Sequence, residues 1–208
     1  MAAGPHKVLP GLVALLLAVG ACGGGRESGK PANQILKDAQ AAAEKASSVH
    51  IVGDVTRSGA RGKLDLLLAS NGDGREQINT AGHTVEIIKV GQVLYVKGIP
   101  GLSRNGYRRL SVSDRRAGPL VRAVDKKTVF MQLINAKDTV TIIGVETVGG
   151  TAAVKLKPQT GPGILYVADD AKHPYPLRID DTASEQGTIT FSDWDTDVTI
   201  PTPQVSSG

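Results

Sequence analysis

The sequence predicts an α+β fold: one large antiparallel sheet with helices packed on one side of it. Two observations carry this. The apolar spacing is helical over one Ala-rich stretch near the start, then changes to the two-residue alternation of strands. Short Gly-containing turns separate the alternating stretches, and strands joined so closely are sequential antiparallel neighbours.

The front of the chain is read first, because it sets the compartment. His6 and Lys7 precede an apolar run over 8–19, and Val19-Gly20-Ala21-Cys22 follows. A basic lead, an apolar stretch and small residues make a secretory signal over 1–21. The run contains Pro10 and Gly11 and falls short of the roughly 20 apolar residues that a membrane-spanning helix needs. Small residues placed directly before the single cysteine form a lipobox, which makes Cys22 the lipidation site and the new N-terminus. Lipidation also removes a lone thiol from an oxidising compartment. The expected location is the extracytoplasmic face of the cell membrane, lipid-anchored through Cys22. Loss of the signal removes one charge, Lys7, so the formal net charge falls from +4 to +3. With a single cysteine, neither a disulfide within the chain nor a cysteine metal cluster is possible.

Residues 22–31 read as the lipidated cysteine and a flexible tether, Gly-rich and polar. Pro31 suits the first position of a helix over 32–46, whose apolar stripe is Ile35, Leu36, Ala39, Ala42 and Ala43. Strands are expected at 49–55, 63–68, 75–79, 84–90 and 92–96. Several are apolar on both faces, so the sheet is covered on both or curls around something. An irregular insertion over 97–113 follows, then a second helix over 126–135 with Val129, Phe130, Leu133 and Ile134 on one face. Strands resume at 139–148, 152–156, 164–168, 177–180 and 187–191. The folded domain spans 32–200, and 201–208 is a frayed tail.

No Gly-x-Ser-x-Gly elbow, Walker-type loop or His-Glu-x-x-His is present, so the expectation is a protein that is not an enzyme and has no cofactor. His50, His83 and His173 are far apart and lack ligand spacing. Asp193-Trp194-Asp195-Thr196-Asp197 imitates half a calcium loop, but Val198 and Gln204 stand where an EF-hand needs Gly and Glu. It reads as an acidic turn. The segment from Arg104 to Lys127 is basic, and Arg104, Arg108, Arg109, Arg115 and Arg116 are candidates for contact with anionic head groups. Leu64, Leu66, Leu68, Val85, Ile87, Leu94 and Val96 on strands, with Phe130, Leu133 and Ile134 on the helix, could line a cavity for acyl chains. The same residues serve equally as a plain core. Nucleic acid is excluded as a partner of an exported chain.

Short motifs through the mature chain resemble actinobacterial lipoproteins of the LppX/LprG type. They include Ser48-Val49-His50, Gly62-Lys63-Leu64-Asp65-Leu66 and Val90-Gly91-Gln92-Val93-Leu94-Tyr95-Val96-Lys97. Gly163-Ile164-Leu165-Tyr166-Val167, Pro174-Tyr175-Pro176-Leu177-Arg178 and Ile189-Thr190-Phe191-Ser192-Asp193 agree. The resemblance implies a LolA/LolB-like half-barrel, a curled antiparallel sheet with helices on its concave side. It further implies a monomer that binds the acyl chains of a lipid or lipoglycan, carries it across the envelope and works with a membrane transporter. The alternative is a tethered interaction or structural lipoprotein with a closed core and no lipid cargo.

Overall fold

A computed structural model describes residues 25–57, 60–160, 163–181 and 187–205. Its frame is two antiparallel meanders fused edge to edge. The first is β1 (Ser48–Arg57), β2 (Ala60–Ala69), β3 (Gly74–Thr80), β4 (His83–Val90), β5 (Val93–Lys97) and β6 (Arg108–Ser111). The second is β7 (Val140–Val148), β8 (Thr151–Pro158), β9 (Ile164–Ala168), β10 (Pro176–Asp180) and β11 (Thr188–Ser192). β1 pairs with β11, so the first and last strands meet in the middle of an open 11-stranded sheet of order β6-β5-β4-β3-β2-β1-β11-β10-β9-β8-β7. The expected α+β class with its large, curled antiparallel sheet is the observed one.

Register explains which side is the core. Ile51 lies opposite Leu66 and Phe191, Leu66 opposite Glu76, Glu76 opposite Ile87, and Ile87 opposite Val96. These positions form one row on the concave face, and all but Glu76 are apolar. The main core gathers there with α1 (Ala32–Lys45), α2 (Gly118–Ala123) and α3 (Lys126–Leu133) packed on it. α1 buries Ile35, Leu36, Ala39 and Ala43, while Ala42 is half-buried. Asp125 caps α3 by accepting from the Thr128 N–H at 2.8 Å. The C-terminus of α1 meets the start of α3. There the buried Lys126 ammonium donates to the carbonyls of Ala43 (3.2 Å), Glu44 (2.9 Å) and Ala46. Desolvation lowers its pKa, and the charges of Asp195 and Glu44 oppose that shift.

Three features depart from expectation. β6 and α2 lie in stretches read as irregular or merely basic. The Arg-Arg-Leu-Ser of β6 carries little strand signal, and pairing of Leu110 with Leu94 on β5 places it. The flexible tether expected over 22–31 already meets the fold at Gly25. Its carbonyl accepts from the Ala171 N–H at 2.9 Å, Ser28 hydrogen-bonds Asp169 through both its N–H and its hydroxyl, and Glu27 is fully buried beside Lys30.

The convex face carries a smaller cluster, Ile88, Tyr95 and Ile200, with Tyr107 packed against it. Tyr107 donates its hydroxyl to Glu86, which also accepts from Arg75 Nε at 3.0 Å. Burial and the Glu86 carboxylate push the Tyr107 pKa up to about 12, and burial with Asp195 pushes Tyr175 to about 12 as well. Because both folded values lie above the unfolded value of 10.0, their stabilisation is full below pH 10.0 and lost as pH rises towards 12. Phenolate absorbance should therefore show these two tyrosines ionising late, together with falling stability above pH 10.0. Tyr107→Phe should remove part of that pH dependence. An unchanged alkaline profile in Tyr107→Phe would refute the Tyr107 assignment.

Candidate functional site

Between the concave sheet and the α2–α3 pair lies a cleft of about 350 Å³. Its floor is Thr56 of β1, Leu64 and Leu66 of β2, Glu76 and Ile78 of β3, and Ile189 of β11. Its roof is Pro119, Arg122 and Ala123 of α2 with Val129, Gln132 and Leu133 of α3. Alternation puts the floor residues other than Thr56 on one face. Leu64 stands opposite Ile78 and Gly53, and Gly53 stands opposite Ile189. A Cβ at Gly53 would sit 2.4 Å from the Thr188 carbonyl oxygen, so the close approach of β11 to β1 requires glycine there. Gly74 sets the height of the roof: a Cβ there would sit 2.6 Å from the Val124 carbonyl oxygen, at the junction of α2 and α3. The walls are mostly aliphatic. Glu76, 8% exposed, contributes the acid of the floor, and Arg122 contributes a base from above. The arrangement shields apolar material and offers polar contacts at its border, without a nucleophile–base pair.

Of the expected lining residues, the structure brings Leu64, Leu66 and Leu133 to the cleft. Leu68, Ile87, Leu94, Val96, Phe130 and Ile134 are packed in the core, each no more than 2% exposed, and Val85 is half-buried against it. Sequence reasoning missed Ile78, Ile189, Val129, Gln132, Arg122 and Glu76. Ile78 and Ile189 needed the register. Glu76 was missed because an acid in a strand reads as solvent-facing.

Arg104, Arg108, Arg109, Arg115 and Arg116 are exposed on the β6 side and in the turn before α2, outside the cleft. Arg116 is held by Asp114 through two side-chain hydrogen bonds, which keep the Asp114 carboxyl well below the usual carboxylate range. Arg108 donates to the Leu102 carbonyl at 3.2 Å. The acidic turn is engaged by its own protein: Asp195 accepts from the Ser47 N–H at 2.6 Å and from the Tyr175 hydroxyl. Trp194 stacks on Tyr175 with ring centroids 4.6 Å apart and packs against Phe130 and Phe191. That cluster gathers both phenylalanines and the only tryptophan of the chain. His50 lies 3.2 Å from Asp65 and 3.4 Å from Asp193. Cys22 lies outside the described residues, and no helix among those residues is long and apolar enough to cross a membrane.

Solved structures share this architecture. LprF from Mycobacterium bovis superposes with a TM-score of 0.57 at 20% identity, covering 86% of this chain and 99% of that one. The fold is that of LprF. The Mycobacterium tuberculosis lipoprotein LppX has the same LprF-like architecture, with a TM-score of 0.53 at 11% identity over 82% of this chain and 98% of that one. No protein-family model matches the sequence, and no curated protein matches it.

Proposed function

We propose that this chain is a cell-envelope lipoprotein that holds an acyl chain of a lipid or lipoglycan in the cleft, and that it performs no chemistry of its own. The observation that carries the proposal is the unfilled apolar space between the concave sheet and α2–α3, about 350 Å³ in volume. That lies at the lower end of ligand-pocket volumes, roughly 300–1,000 Å³, and suits one acyl chain rather than several. The LprF-like fold supports the reading, as does the lipoprotein name of LppX. Arg122 is the basic residue placed to meet a head group at the cleft. The five exposed arginines near β6 would attract the anionic head group of an incoming lipid or lipoglycan. Cys22 would carry the anchor.

Native mass spectrometry of the chain made in its own host tests this. A reproducible added mass, released by organic solvent and identified as a lipid, is the expected result. Leu64→Trp fills the floor of the cleft and should abolish that added mass while leaving the circular dichroism unchanged. A clean apo mass with no uptake of labelled lipid would refute the carrier reading. The second reading, a tethered module with a closed core, would then stand. It is favoured by the six expected lining residues that are instead packed at no more than 2% exposure.

A further inference from the structure

The two edges of the sheet differ. β6 is short and carries Arg108 and Arg109, the usual protection of a free edge. β7 is longer and has no Lys, Arg or Pro, and Ile142, Ile143 and Val145 are 41%, 45% and 56% exposed. A bulge between Ile142 and Gly144 brings these three large apolar side chains out within four positions.

The amino-terminal segment leaves the fold on the same flank. Gly25 is bonded to Ala171 and Ser28 to Asp169; the Asp169 N–H donates to the Ala152 carbonyl, and Ala152 lies opposite Thr147 of β7. Cys22 lies three residues before Gly25, a reach of about 10 Å. Arg26, Lys157 and Lys172 are exposed on this flank, and the nearby Asp170 is engaged by His173.

We propose that the β7 edge is a membrane-docking surface, with Ile142, Ile143 and Val145 set into a phospholipid bilayer and Arg26, Lys157 and Lys172 against its phosphates. The proposal rests on the anchored reading of Cys22. A docked Gly25 leaves only a short leash, so a bilayer that holds the anchor faces this flank rather than the β6 edge. A bilayer also accepts apolar side chains that project to either side of an edge strand.

The test uses the full chain from its own host, with the anchor verified by mass, on vesicles of phosphatidylcholine and phosphatidylglycerol. Ile143→Cys on β7 and, as control, Ser111→Cys on β6 receive an environment-sensitive fluorophore, and the vesicles carry a nitroxide lipid. The label at 143 is expected to be quenched severalfold and the label at 111 unchanged. Val145→Cys should repeat the result at 143. Equal quenching at 143 and 111 with the anchor present overturns the docking surface. Energy transfer between copies at 143 without nitroxide quenching overturns it in favour of a dimer. A chain without an acyl group that still shows quenching at 143 supports docking while removing the anchored reading. A chain that neither carries the anchor nor binds vesicles overturns both.

Discussion

Replacing Phe130 by alanine is expected to destabilise the fold by about 4 kcal/mol. The ring is fully buried, with centroids 5.8 Å from Phe191 and 5.6 Å from Trp194. It joins α3 to β11 and to the turn that follows it. Removing it forfeits transfer free energy and leaves a void, because the sheet cannot collapse onto a helix held at both ends. Urea unfolding should show a lower midpoint at an unchanged slope. A loss below about 1 kcal/mol would mean that α3 repacks freely and that the roof of the cleft is soft. The void also lies behind Val129 and Leu133, so an acyl ligand should recover part of the loss if the carrier reading is right.

Lys126→Met should cost about 3 kcal/mol. Methionine keeps the apolar stem and removes the ammonium that donates to the carbonyls of Ala43, Glu44 and Ala46. These carbonyls end α1, where a positive charge also complements the helix dipole. Without it they lose their donor in a place only partly open to water. The two helices should then separate at this corner, and hydrogen exchange should speed up in α1 and in the turn after it before it does in β1. Lys126→Arg, which retains the charge, should recover much of the stability. Loss of stability without faster exchange in α1 would contradict the role assigned to Lys126.

Much of the scaffold was legible because it depends on local periodicity. Ile35, Leu36, Ala39 and Ala43 repeat at helical spacing, and the structure buries them. The alternation in Leu64, Leu66 and Leu68 marks the inner face of β2, and glycine turns at Gly82 and Gly91 separate its neighbours. Both glycines have positive φ, 79° and 56°, where other residues are strained. β6 and α2 were not legible, since four residues with two arginines, or six beginning Gly-Pro, carry no period.

The candidate site was only partly legible. Leu64, Leu66 and Leu133 were found because an apolar residue on a patterned face is a fair candidate for any interior surface. Whether such a residue lines a space or fills one depends on what approaches it from elsewhere in the chain. Leu68 and Phe130 are filled against, whereas Leu64 is not.

The sequence by itself determined the helix-then-sheet order and the apolar faces of both, which follow from neighbours along the chain. Only the tertiary structure decided that β1 closes on β11, that Gly74 sets the height of α2–α3 over the sheet, and that Glu76 lies on the floor beneath Arg122. Each of these is a contact between residues far apart in the chain. Its free energy depends on register and shape complementarity, which no local period encodes.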